Sequence, residues 1–325
     1  METQIVNNIF DDKQAFNEKA MRIFQYQYSN NRVYKTWNDI LQVDIASISS
    51  LSNIPFLPIS FFKTHKIVCS VFQPEYIFES SGTTQSVTSR HYVKDAALYR
   101  KSFLNVFKIF YGDVKDWCII GLLPSYLERK NSSLVVMVNE LIHQSNHADN
   151  GFYLYELEKL KDVLLRLENN QQKTLLIGVS FALLDFAEQY PLQLKYTTVM
   201  ETGGMKGRRK EITRQEMHSI LCNNLGINKV HSEYGMTELL SQAYSKGDGI
   251  FYCPPWMKVF VRGEDDPLLI RETGRGVLNI IDLANIYSCS FIATDDVGTV
   301  YEDGSFEVIG RMDNSDVRGC SLMTV

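Results

Sequence analysis

The chain has 325 residues, 45% of them hydrophobic and 22% charged, with a formal net charge of -5 and a pI near 5.8. That length buries a substantial core, and the 12% aromatic share argues against extended disorder. The acidic balance offers no general attraction to nucleic acid or anionic lipid; no basic segment leads into an apolar run at the N-terminus and no stretch is apolar enough to span a bilayer, so a cytoplasmic location is expected.

In chain order, residues 12 to 42 carry helical periodicity, with Phe16, Ala20, Ile23, Phe24 and Tyr28 on one face, and the two prolines of IPFLPISFFK predict an extended, packed connector. Residues 66 to 78 read as strand-like, and the loop ESSGTTQSVTSRH is expected to join strands to a helix starting near Asp95. Strand candidates at 117 to 123, 174 to 179, 195 to 200 and 228 to 231 alternate with helical stretches at about 132 to 145, 154 to 168, 180 to 188 and 213 to 224. This alternation predicts a parallel sheet covered by helices, and Thr213 with Glu216 has the capping-box pattern. Beyond residue 250 strands follow one another without helices, and Glu302-Asp303-Gly304 signals a hairpin. The expected fold is α/β with a C-terminal antiparallel sub-domain: a helical layer over 1–70, a nucleotide-binding core over 71–248, a β-rich sub-domain over 249–312 and a polar tail over 313–325.

Three segments carry chemistry. Ser80, Ser81, Gly82, Thr83 and Thr84 place four hydroxyls around one glycine, a composition that suits a polyphosphate but lacks the lysine of the standard nucleotide-triphosphatase loop. Ser232-Glu233-Tyr234-Gly235-Met236-Thr237-Glu238 follows an apolar strand candidate, so it falls where ligands of open α/β sheets bind. There Thr237 can bond a phosphate, Glu238 can hold Mg²⁺ and Tyr234 can stack on a base. Asp296, in TDDVG, and Arg311 can reach ribose hydroxyls or phosphate. Each segment alone also suits a surface turn, a helix start or a charged hairpin.

Two sets of residues have both a chemical and a plain reading. Cys69, Cys118, Cys222, Cys253, Cys289 and Cys320 form no CxxC pair and read as reduced thiols; Cys320 stands apart in a polar tail, where Arg318 would favour a thiolate. His143 and His147 read as surface histidines, whereas His91 suits either a loop or substrate contact or a plain surface position.

In order and spacing these segments resemble the adenylate-forming superfamily of acyl- and aryl-CoA ligases and luciferases. SSGTTQ is similar to its phosphate loop, EYGMTE to its nucleotide and magnesium motif, and TDDVG with GR to its ribose motif; Gly203-Gly204 resembles the adenine-contacting turn, with Lys206 just after it. Within the superfamily, IPFLPISFFK, SSGTT followed by Ser89-Arg90-His91, ETGGMKGR and GRMDNSDVRGCSL most resemble the acyl-protein synthetases of the bacterial bioluminescence fatty acid reductase system. The resemblance implies ATP and AMP as nucleotides, Mg²⁺, a carboxylic and expectedly fatty acid substrate, and an acyl thioester on the matching Cys320 before transfer to a reductase or carrier protein. Catalytic roles then fall on Cys320, Thr237, Glu238 and His91. Nucleotide contacts fall on the Ser80–Thr84 loop, Gly203, Gly204, Lys206, Glu233, Tyr234, Gly235, Met236, Thr237, Asp296 and Arg311, and the metal ligand on Glu238.

Two departures shape the expectation. Gln85 replaces the usual glycine, and Thr88 stands near the usual loop lysine. The chain stops soon after Arg318-Gly319, without the small C-terminal domain of the ligases, which shifts the expected acceptor from free CoA towards a protein thiol. A ligase completed by a separate partner, acting on CoA or a carrier protein, and a non-catalytic acyl-adenylate-binding protein remain the alternatives.

Overall fold

The computed structural model describes residues 2–11, 13–80, 87–124, 131–203, 212–263 and 266–312. Helices Glu2–Asn8, Phe16–Asn30 and Arg32–Ile40 form the N-terminal layer. Ala20, Ile23, Phe24 and Gln27 of the second helix are fully buried, the 3–4 spacing of a core-facing stripe. Tyr28, expected on that face, is only partly buried. Gln27 takes the inner place because its amide bonds the carbonyls of Asn285 and Ile286 and accepts from Ser290 N. The proline-fixed connector places Leu57–Pro58 (β1) parallel to a strand of the C-terminal sheet, at residues Ile292 and Ala293.

The strand expected over 66 to 78 forms only at its end, as Tyr76–Glu79 (β2). Ile67 and Cys69 are buried in an irregular segment tied by Cys69 N to Tyr287 O, and Pro74 withholds a donor from any ladder there. The loop after β2 does not lead directly to the helix. Arg90–Val93 (β3) folds back antiparallel on β2, with Phe78 opposite His91, and only then does Asp95 cap helix Ala96–Tyr111 by accepting from Ala97 N and Leu98 N. Alternation over four residues, with His91 and Val93 inward, is too short a period-two signal to separate from a loop.

Cys118–Leu122 (β4), Gly151–Phe152 (β5), Thr174–Val179 (β6), Thr197–Thr202 (β7), His231–Tyr234 (β8) and Ala243–Ser245 (β9) form a sheet in the order β5-β4-β6-β7-β8-β9. All its pairs are parallel except β8–β9. Every residue of β4 and β6 is buried, as in a sheet covered on both faces by helices such as Ser133–Ser145, Leu157–Asn169, Ser180–Gln189 and Arg214–Leu225. The capping box at Thr213 and Glu216 is formed. β8 begins three residues later than its apolar signal, since Met200 of β7 pairs with His231; the polar Ser232, Glu233 and Tyr234 are therefore strand residues at the open C-terminal edge.

The last sheet contains Ile250–Phe251 (β10), Met257–Arg262 (β11), Ile270–Arg271 (β12), Gly274–Asp282 (β13), Phe291–Val300 (β14) and Phe306–Arg311 (β15), in the order β10-β15-β14-β13-β11-β12, with antiparallel pairing throughout and β1 added to β14. The β14–β15 hairpin closes over Gly304 at φ 81°, a conformation glycine adopts without strain. Along β14 burial alternates, so Thr294 and Asp296 face inward while Asp295 does not. Among the described residues no helix is long and apolar enough to cross a membrane.

Candidate active site

The segment Gly235 to Ser241 links β8 to β9 and is bonded through Leu240 N and Ser241 N to Asp282 at the end of β13 in the other sheet. Glu238 is buried, 6% exposed, and its carboxyl is raised above the usual carboxylate range by burial, against a hydrogen bond from Ser89 and the positive charges of Arg311 and Lys63. His91 of β3 is equally buried, in a strand rather than a loop or at the surface. Its Nδ1 lies 2.8 Å from Thr237 O and, since a carbonyl only accepts, must carry the proton. Burial pushes the ring down to about 4, so it is neutral at neutral pH.

Tyr234 and Asp296 meet from opposite sheets. The tyrosine hydroxyl donates to Asp296 Oδ2 at 2.7 Å, and Arg311 Nε donates to Oδ1 at 3.0 Å. The Tyr234 ring rests against Phe251 and Phe306, which occupies part of the surface expected to stack on a base. Both groups on Asp296 donate to it, and the carboxylate keeps lone pairs for ribose hydroxyls.

Glu233 is held by Thr202 Oγ1 at 2.5 Å, and burial pushes its carboxyl up to about 7, with neighbouring Glu201 adding to the rise. Gly235 follows beneath it: a Cβ there would press on Glu233 Oε1, so any larger residue would push that carboxylate off its bond to Thr202. Gly203 takes φ 68°, and its carbonyl accepts from Ser180 Oγ at 2.7 Å. Ser80 Oγ accepts from Ser89 N at 2.9 Å, closing the β2–β3 hairpin at the foot of the hydroxyl-rich loop. Ser81, Gly82, Thr83, Thr84, Gly204, Lys206 and Cys320 lie outside the described residues.

Of the remaining cysteines, Cys69, Cys118 and Cys289 are buried and Cys222 and Cys253 partly buried. Burial raises Cys69 and Cys253 far above an ordinary thiol, Cys118 and Cys289 to about 12, and Cys222 less. His143 is exposed, and the His147 ring is occupied by Asp149 N. Among the described residues no group of three His, Cys, Asp or Glu is poised to hold a metal. Mg²⁺ does not need one: it is commonly held by one or two carboxylates together with phosphate oxygens and water. Glu238, a buried carboxylate with no ion pair among the described residues, fits that role.

The profile of the family described as acyl-protein synthetase, LuxE, matches residues 6–324. The chain belongs to that family. A relative, the long-chain-fatty-acid--luciferin-component ligase of Aliivibrio fischeri, is 23% identical over 342 residues, which cover 96% of this chain and 89% of the relative. Among solved structures, 2-hydroxyisobutyryl-CoA ligase in the postadenylation state in complex with R3-HIB-AMP aligns with a TM-score of 0.64 at 11% identity, over 92% of this chain and 68% of that one. ATP-bound MatB from Rhodopseudomonas palustris aligns with a TM-score of 0.54 at 17% identity, over 72% of this chain and 47% of that one, so this chain spans about half its length. At these identities the structural likeness is one of fold, an α/β fold shared with adenylate-forming enzymes.

Three buried polar residues beside the site of this acyl-protein synthetase family member, Gln27, Asp282 and Asn285, sit in no sequence motif. An Asp at a strand end beside a short Leu-Ala-Asn turn carries only a faint signal, that of a turn cap.

Proposed function

We propose that this chain uses ATP to convert a fatty acid to an acyl-adenylate and then transfers the acyl group to a protein thiol. One observation supports this reading of the site: Thr237 and Glu238 follow shortly after β8, and the hydroxyl of Tyr234 at the end of that strand is bonded to Asp296 on the facing sheet, which links the proposed phosphate-side and ribose-side groups. Family membership supplies the reaction class.

In the first step a carboxylate oxygen attacks the α-phosphorus of ATP and pyrophosphate leaves. Two anions must approach, so the site has to supply positive charge and fixed donors. Mg²⁺ held by Glu238 would neutralise phosphate charge. Thr237 and the hydroxyls of the Ser80–Thr84 loop would donate to phosphate oxygens, and Asp296 would accept from the ribose hydroxyls, kept in place by Tyr234 and Arg311. The neutral His91 ring donates to the Thr237 carbonyl and so holds that peptide beside the site. In the second step a thiolate attacks the acyl carbonyl carbon and AMP leaves; Cys320 is the proposed nucleophile, and a reductase or carrier protein the next acceptor.

The test is acid-dependent ATP–pyrophosphate exchange together with a hydroxylamine-labile acyl label on the protein. Cys320→Ser is expected to keep the exchange and lose the label. A label retained at full level would place the thioester elsewhere, and acyl-CoA formed by the purified chain would move the acceptor to CoA.

A further inference from the structure

Four of the five residues from Thr237 to Ser241 are gripped from outside their own segment. His91 Nδ1 donates to Thr237 O, and Asn285 Nδ2 donates to Glu238 O at 2.6 Å. The Asp282 carboxylate accepts from Leu240 N at 2.8 Å, Ser241 N at 3.0 Å and the Ser241 hydroxyl at 2.6 Å. Asp282 and Asn285 bracket a single 3-10 turn, Leu283–Asn285, whose start Asp282 also caps by accepting from Ala284 N. The turn is fastened from behind by Gln27, which donates to the carbonyls of Asn285 and Ile286 at 2.9 and 3.0 Å. A rigid element between β13 and β14 thus holds the peptide that presents Glu238.

Asn285 is fully buried, yet its Oδ1 has no hydrogen-bond partner among the described residues. An unpaired buried acceptor opposes folding, and an apolar side chain of the same size would avoid it. Its Nδ2, by contrast, makes a short bond to the carbonyl of the residue read above as the metal ligand. A buried side chain with one end unpaired and the other bonded to the candidate metal ligand fits retention for the site rather than for packing alone.

We infer that Asn285 is a positioning residue for adenylation: by fixing the Glu238 carbonyl it sets the direction of the Glu238 carboxylate towards the nucleotide phosphates. The inference rests on the reading of Glu238 given above. Asn285 touches neither substrate nor metal and acts through the Glu238 peptide. A misplacement on the order of 1 Å of a group at the reacting phosphates lowers turnover by about 100-fold.

The experiment compares Asn285→Leu, Asn285→Ala and Glu238→Gln with wild type in acid-dependent pyrophosphate exchange and in thermal melts with ATP alone and with ATP plus Mg²⁺. Asn285→Leu is expected to lower kcat by about 10- to 100-fold with the KM for the acid within about twofold. The ligand-free protein should melt about 2–5 °C below wild type, because the Glu238 carbonyl loses its donor, while the extra stabilisation that Mg²⁺ adds to ATP is lost outright. Asn285→Ala should show the same split and covers the case in which leucine is not accommodated. If both Asn285 variants keep the wild-type kcat and the Mg²⁺-dependent shift while Glu238→Gln loses them, the positioning role is overturned and the reading of Glu238 stands. If Glu238→Gln keeps them, that reading falls and this inference with it. A melting point lowered by about 10 °C, with every KM raised in parallel, would make Asn285 merely structural and also overturn it.

Discussion

The Tyr234 hydroxyl donates to Asp296 Oδ2 at 2.7 Å, joining the end of the parallel sheet to the middle of the antiparallel one. Burial and the adjacent carboxylate raise the phenol far above its usual range, so it remains a donor at any physiological pH. The bond orients Asp296 from below while Arg311 reaches it from the solvent side.

Tyr234→Phe removes that donor without removing the ring packed on Phe251 and Phe306. A hydrogen bond to a charged group contributes about 1.5–3 kcal/mol. The KM for ATP in the exchange assay should therefore rise on the order of tenfold or more, with the KM for the acid unchanged; equal rises in both would show that the bond supports the cleft as a whole.

Arg311→Ala should separate activity from stability. The guanidinium is 70% exposed, so its ion pair with Asp296 contributes less than about 1 kcal/mol to folding. Urea midpoints should match wild type closely while ATP affinity, measured by calorimetry, falls. A variant that loses stability but binds ATP normally would remove Arg311 from the nucleotide site.

Gly235→Ala places a methyl against Glu233 Oε1. The carboxylate ends a flexible side chain, so the variant is expected to displace it from Thr202, lowering exchange activity and costing about 0.5–1.5 kcal/mol of stability. Adding Glu233→Ala removes the obstacle, so the double variant should recover part of the stability, with a coupling of about 0.5–3 kcal/mol in a double-mutant cycle. Strict additivity would show that the collision is relieved some other way.

Two buried groups give opposite pH dependences. Glu233 titrates at about 7 in the folded chain against an ordinary value of 4.5, so its contribution is favourable below the lower value and is lost as pH rises through the higher one. His91 titrates at about 4 against 6.5, so its contribution is complete above 6.5 and is lost as pH falls towards 4. Glu233→Gln should consequently gain up to about 3 kcal/mol relative to wild type at pH 8 and almost nothing at pH 4.5, read from denaturant midpoints. Equal gains at the two pH values would rule out the charge as the cause.

Much of the architecture is legible in the chain itself because it depends on neighbours close in sequence. Helix Arg214–Leu225 starts where Thr213 and Glu216 cap each other, the β14–β15 turn closes where Gly304 permits positive φ, and β6 is read directly from an uninterrupted apolar run. The order of EYGMTE, TDDVG and GR likewise resembles a set of nucleotide-binding motifs in the sequence alone. Only the tertiary structure decided that β3 pairs back on β2, that the His91 ring is buried against Thr237, and that Asp282, Asn285 and Gln27 stand behind Glu238. The physical reason is range. Gln27 and Asn285 are 258 positions apart, and a buried polar side chain is identified by the partner that satisfies it, which no local pattern records.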